Sequence, residues 1–382
     1  MSRTQLFTTA GAVLFLIALV AFQVSRYDGN VSALLHVSRE FGQAFDVPTG
    51  IVLYEDGGYD GMLYYQIARD IPKILFGVND GSLPPYDSAY RAQRILLPLL
   101  TYLLSLGQER FFPWVILFIN VASITGALAL ALGFLRKISL PILTLVFNPA
   151  ALVGVLFSLS EPLSLFFTTL FLVLWKRSKG IISGWQVIAL ALAMFARETT
   201  IFLILPLAGW YMWKKQWKNA SRIILALAPS LFWQWFLIER FGTLALTLGK
   251  HMINLPLLGV WQLLLSIFGT VSAYRLSSLS FLILFAIPLL TIELWRFAKG
   301  HIKNTLEGLL LFCLLVLFSL DAHIWGVITS VGRVLTPLYP LFAFTASERD
   351  SLSDRLISVN LIAVSIIAAI GIASITHLFS IS

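Results

Sequence analysis

Charge is scarce in this chain: only 12% of its 382 residues are Asp, Glu, Lys or Arg, about half the share found in ordinary soluble domains. With 58% hydrophobic residues and a mean hydropathy of +0.86, the shortage excludes an ordinary water-soluble domain. Cysteine occurs once, as Cys313 inside an apolar run, which excludes an intramolecular disulfide and a thiolate metal cluster. The five histidines, His36, His251, His301, His323 and His377, contain no pair at i, i+4 spacing, so a zinc site of that type is not expected. No internal repeat and no low-complexity tract stands out. The formal charge of +8 does not point to nucleic acid, because the basic residues fall in short clusters between apolar runs, as in membrane proteins.

What is present is a series of apolar runs. A helix crossing a 30 Å hydrocarbon core needs about 20 mostly apolar residues. That measure predicts about eleven spans, near 9–25, 112–135, 139–157, 161–175, 182–196, 199–213, 222–238, 277–294, 305–320, 334–347 and 356–376. The expected fold is therefore an all-α, multi-pass membrane protein forming a single domain. The opening MSRTQ and the apolar run after it lack a small-residue cleavage site before Arg26, so the segment reads as a signal anchor.

Orientation follows from the basic residues. Arg136 and Lys137, then Lys176, Arg177 and Lys179, then Lys214, Lys215, Lys218 and Arg222, then Arg296, Lys299 and Lys303, then Arg349 and Arg355, occupy every second loop. Those loops are expected in the cytoplasm, with the N-terminus. The first loop, 26–111, and the loop 239–276 then face outward, flanking core helices at 112–238 and C-terminal helices at 277–382. Within the first loop, 95–107 is apolar but too short to cross and is expected as a juxtamembrane helix. Residues 31–45 read as a second, interfacial helix.

The segment 54–70, YEDGGYDGMLYYQIARD, contrasts with all of this. Carboxylates there are too costly for hydrocarbon, and Gly57, Gly58 and Gly61 allow close approach to the main chain. The segment reads as the floor of a wet site. On the expected topology Glu161, Arg197, Glu198, Asp321, His323 and Arg333 fall at the outer ends of helices, on the same face as Glu55, Asp56 and Asp60. Each also has a plain structural reading. Asp60 suits a helix N-cap, and Glu161 before Pro162 suits a helix start. Arg197 and Glu198 suit an ion pair, Arg91 and Arg94 suit snorkelling to headgroups, and His323 suits a packed interfacial histidine. Trp233, Trp235, Trp261 and Trp325 fit an interface belt or a stacking surface for sugars.

These motifs, in this order, resemble the GT-C superfamily of membrane glycosyltransferases, which use lipid-phosphate-linked sugars. GYDGMLYYQIARD is similar to the aspartate-bearing first loop of bacterial surface-polysaccharide transferases and, more distantly, to that of GPI mannosyltransferases. YRAQRILLPLL (90–100) resembles the juxtamembrane stretch that follows. FSLSEPLSLFF, FARETTIFLILP and GRVLTPLYPLF resemble the later loops, matching Glu161, Arg197 and Arg333. The resemblance implies a GT-C-like fold in a bacterial plasma membrane, with the active site on the outer face. Its substrates would be a polyprenyl-phosphate sugar donor and a glycan, lipid or protein acceptor in cell-envelope synthesis.

Within that expectation the chemistry asks for a base and for cations that hold the leaving phosphate. Asp60 is the expected base, with Asp56 and Glu55 as rival acids. Arg197, Arg333 and Arg94 are expected to bind the donor phosphate, and Glu161, Glu198, Tyr64 and His323 to orient them or the acceptor. No cofactor is expected, although Glu55, Asp56 and Asp60 offer oxygen ligands for Mg²⁺ or Mn²⁺. The competing classes are a lipid-linked-sugar flippase or other transporter, for which the chain shows no matching halves, and a non-catalytic subunit of an envelope-polymer assembly.

Overall fold

Ser2 opens the first helix, Arg3–Val24, with a capping box: its hydroxyl accepts from the Gln5 amide while the Gln5 side chain accepts from the Ser2 amide. A computed structural model describes residues 2–55, 57–77, 88–242, 244, 252–266, 273–302 and 304–375, and these are mostly helical. Among the described residues five helical stretches are long and apolar enough to cross a membrane: Arg3–Tyr27, Glu109–Leu135, Trp217–Phe241, Arg275–Ala298 and Leu352–Ser374. Leu14, Phe118, Leu231, Ile283 and Ile367 stand exposed on them. Apolar side chains in that number, facing outward along long helices, are what a lipid surroundings selects.

The other expected spans are shorter or broken. The stretch expected at 139–157 divides into Leu140–Leu143 and Pro149–Leu156, where Asn148 caps the second piece and Pro149 sits at its first position. Glu161–Arg177 has 17 residues, Gly184–Ala196 and Ile201–Trp213 have 13 each, and Thr305–Phe318 has 14. The run expected at 334–347 is divided between Ile328–Val334 and Leu338–Arg349, separated at Pro337. By helix length, then, eleven full crossings are not established. The loop expected at 239–276 carries its own helix, Leu258–Ser266, and the helix before it continues to Phe241.

The first loop departs most from expectation. Residues 31–45 do not form one interfacial helix. They form a 3₁₀ turn, Val31–Leu35, a two-residue strand, Val37–Ser38, and a short helix, Arg39–Ala44. Val31 to Leu35 are buried, so the segment is a packed element and not a surface float. The strand pairs in parallel with Leu53–Tyr54, which sets the chain entering the site beside His36, whose carbonyl accepts from the Tyr59 amide at 3.0 Å. The site helix, Asp60–Phe76, follows at once. Leu96–Leu104, nine residues long, lies within the apolar run 95–107 and packs against the site helix.

Gly61 permits this docking. A Cβ there would press on the Phe157 carbonyl oxygen and lie 2.9 Å from that of Leu35. The glycine serves helix packing here, whereas Gly58, at φ +72°, supplies the left-handed turn before the helix.

Candidate active site

Five separate stretches deliver the charged groups. Tyr59 is the extended residue before the site helix, and Asp60 is that helix's first residue and not its cap. Arg91 lies in the last turn of the short helix Ser88–Ala92, and Arg94 follows three residues later. Glu161 opens Glu161–Arg177, while between Gly184–Ala196 and Ile201–Trp213 Arg197 is an extended break and Glu198 begins the 3₁₀ turn Glu198–Thr200. Arg333 lies in the last turn of Ile328–Val334.

These groups meet. The Asp60 carboxylate lies 2.9 Å from Arg91 and 3.0 Å from Arg333, with Arg94 at 3.9 Å. Arg333 also donates to Glu161 Oε1 at 2.7 Å and to the Thr329 carbonyl at 2.5 Å. Its guanidinium stands over the Tyr59 ring, 5.3 Å from the centroid. Arg94, only 1% exposed, makes a two-pronged contact with Glu198, at 2.7 and 2.5 Å, and donates to the hydroxyls of Tyr64 and Tyr90. The expected Arg197 to Glu198 pair is absent from this arrangement: Arg197 approaches Glu161 Oε1 at 2.6 Å, and Glu198 belongs to Arg94.

Four guanidinium groups thus face three carboxylates, and one net positive charge remains. Two donors are left over in a revealing place. Arg197 Nε and Nη1 have no aligned hydrogen-bond partner although the residue is buried, and Arg91 Nε and Glu161 Oε2 are likewise unpaired. Buried charged groups whose hydrogen-bonding capacity is not filled are expensive, and a guanidinium in that state has donors to offer an anion. Burial by itself would raise the Asp60 carboxyl, but Arg333, Arg91 and Arg94 outweigh it and hold that carboxyl well below the usual range. Glu198 is held at about 2, burial again being overcome, here by Arg94 and then Arg197.

Several expected members lie elsewhere. Glu55 pairs with Arg39 at 3.0 Å on the exposed side of the loop, which removes it as a rival to Asp60 in this cluster. Asp56 and His251 lie outside the described residues. His323 hydrogen-bonds to Asp321 at 2.9 Å with its ring 62% exposed, and neither residue touches the cluster. Trp325 is fully buried, so it serves neither an interface belt nor a sugar surface. Arg91 and Arg94 do not snorkel, since their charges point inward to Asp60 and Glu198.

Of the three acids expected to offer oxygen ligands to a divalent cation, the two described, Glu55 and Asp60, each face arginines. Three guanidinium groups surround Asp60 and repel such a cation, Glu55 faces Arg39, and among the described residues no three His, Cys, Asp or Glu side chains converge. Sequence reasoning missed Tyr59 and Tyr90 as the aromatic supports of Arg333 and Arg94. The tyrosine-rich 54–70 segment was the available signal for Tyr59, and the position of Tyr90 four residues before Arg94 was the signal for the other.

A cavity of about 290 Å³ adjoins the cluster and shares Glu198 and Tyr90 with it. Its remaining lining is mostly apolar, including Met194, Phe202, Leu231 and Met252. Compared with protein-family profiles, curated proteins and solved structures, the chain matches none of them.

Proposed function

We propose that the protein is a GT-C-type glycosyltransferase that moves a sugar from a polyprenyl-phosphate donor to an acceptor hydroxyl. The observation that carries this reading is the pairing of two functions in one pocket. Asp60 is a carboxylate for the acceptor's proton, Arg91 and Arg333 flank it, and Arg197, ion-paired to Glu161, adds a guanidinium whose hydrogen-bonding capacity is not filled. A guanidinium fork suits a phosphate that gains charge as it leaves.

In the reaction the acceptor oxygen attacks the anomeric carbon, the bond from that carbon to the phosphate oxygen breaks with its electron pair, and the hydroxyl proton passes to Asp60. A single displacement of this kind inverts the anomeric centre. Asp60 as it stands is a weak base, because its arginines stabilise the ionised form. An incoming phosphate competes for Arg91 and Arg333, loosens their hold and raises the basicity of Asp60 when the donor is bound. Glu161 positions Arg197 and Arg333. Glu198, Tyr64 and Tyr90 position Arg94, which is too fully engaged to be the main phosphate ligand.

The placement of the cluster supports an outer-face site. Glu161 begins, and Lys176 and Arg177 end, one helix of 17 residues, so the cluster and the basic loop lie about 25 Å apart along it. With the basic loops in the cytoplasm, the shorter helices complete about eleven crossings of a bacterial plasma membrane, some as broken spans, and Asp60 faces outward. The acceptor is a glycan, lipid or protein of the cell envelope.

The test is labelled polyprenyl-phosphate sugar given to purified protein oriented in one-sided vesicles. Transfer to an acceptor, lost in Asp60→Asn and kept in EDTA, supports the reading. Movement of the labelled lipid across the bilayer without product makes the protein a carrier instead.

A further inference from the structure

Four polar side chains line the cavity beside Glu198 without using their full hydrogen-bonding capacity: Gln93, Thr199, Ser230 and Gln234. Gln93 Nε2, Thr199 Oγ1, Ser230 Oγ and Gln234 Oε1 are buried and unpaired, and Gln93 and Thr199 are only 4% and 6% exposed. The two amides are already oriented. Gln234 Nε2 donates to Gln93 Oε1 at 3.0 Å, which leaves one donor and one acceptor facing onward. Ser230 and Gln234 stand four residues apart on Ala228–Phe241 and so share a face. The Trp233 indole donates to the Ala92 carbonyl at 2.8 Å and ties that helix to the stretch carrying Arg91.

We infer that this cavity seats a neutral, hydroxyl-bearing amphiphile that enters from the membrane and, given the transferase reading above, is the acceptor. A hydrocarbon tail would leave all four polar atoms unpaired, and burying them against it is unfavourable. An anion would meet Glu198, the one charged side chain in the lining. A cation would find that carboxylate already held by Arg94. A hydroxyl both donates and accepts, which matches one amide donor, one amide oxygen and two hydroxyls. The apolar remainder of the lining takes the rest of the molecule. Leu231 belongs to the lining and is also exposed on the spanning-length stretch Trp217–Phe241, so the cavity reaches the lipid-facing side. Glu198 then joins the acceptor cavity to the cluster in which the donor phosphate is held.

Equilibrium dialysis tests this with the full chain in an amine-oxide detergent that carries no sugar. The probes are radiolabelled octyl glucoside, below its micelle concentration, and octyl phosphate. Octyl glucoside is expected to bind saturably, and Gln93→Leu with Gln234→Leu to weaken it about tenfold to a hundredfold, from the loss of two neutral hydrogen bonds. Octyl phosphate binding should not change in that variant. Because the variant replaces both partners of the one bond between these amides and removes two buried atoms that are unpaired in the free protein, its unfolding temperature should stay level or rise. Unchanged glucoside affinity, equal displacement of octyl glucoside by decane, or a drop of several degrees in unfolding temperature would overturn the inference, the last by making the amides a structural network. Binding needs no donor, so the two readings fail separately. Glucoside binding with the expected variant effect but no sugar transfer leaves the cavity assigned and the transferase reading lost. Transfer with glucoside binding indifferent to the variant does the reverse.

Discussion

Glu161 offers the sharpest perturbation, because one buried oxygen serves two guanidinium groups. Its side chain is fully buried, with Arg333 at 2.7 Å and Arg197 at 2.6 Å from Oε1. Glu161→Gln keeps the shape and removes the charge. Arg333 still has Asp60, but among the described residues Arg197 has no other acid within ion-pair distance. Breaking a buried ion pair from one side costs about 3–5 kcal/mol, since the partner stays buried and uncompensated. The loss of a favourable helix-dipole term at the start of Glu161–Arg177 adds only about 0.3–1 kcal/mol, so the pair dominates. Against a total stability of roughly 5–15 kcal/mol this is large, and the unfolding temperature in detergent should fall on the order of 5 °C. A second change should recover part of it. Arg197→Met in the Glu161→Gln background removes the stranded charge, and a coupling of about 0.5–3 kcal/mol is expected from the double-mutant cycle. An unfolding temperature within about 1 °C of wild type for Glu161→Gln, or no coupling to Arg197, would refute the argument that these charges depend on each other.

The remaining predictions concern the loop and the pH profile. Asp60→Asn should lower transfer about 10²- to 10⁴-fold, whereas Glu55→Gln, whose partner is Arg39, should transfer at close to the wild-type rate in the same vesicle assay. The Glu198 carboxyl is depressed from 4.5 to about 2; a depressed acid contributes stability at neutral pH that is lost as pH falls through the folded value. Unfolding temperatures should therefore decline between pH 4.5 and about 2, and Glu198→Gln should flatten that part of the curve. Gly61→Ala should destabilise by about 1–3 kcal/mol or more, because the new methyl meets two backbone carbonyls that cannot turn away. Gly57→Ala, with nothing within 4 Å of the added methyl, should leave the thermal unfolding curve in place.

Composition and run length were enough to read the helical class and the membrane character, because both are sums over many residues. Asp60, Glu161, Arg197 and Arg333 could be singled out for a related reason: ionisable groups are so costly near hydrocarbon that their presence at the ends of apolar runs is informative one residue at a time. Span counting was less secure. The stretch at 139–157 contains enough apolar residues for a crossing, yet Ser139, Asn148 and Pro149 start and restart short helices within it, and hydropathy does not register a break whose flanks are equally apolar. The 31–45 segment failed differently. Its alternation of apolar and polar residues fits a helix, but pairing with Leu53–Tyr54 and burial under the site helix decided its shape.

The sequence by itself determined which residues are too polar for lipid and roughly where along the helices they fall, since solvation is a property of each side chain. Only the tertiary structure decided the partners. It put Glu161 with Arg197, gave Glu198 to Arg94, sent Glu55 out to Arg39 and left Arg197 Nε without a hydrogen-bond partner. Charge pairing depends on distances of a few ångströms between stretches up to 273 residues apart, as Asp60 and Arg333 are, and those distances are fixed by how the helices dock.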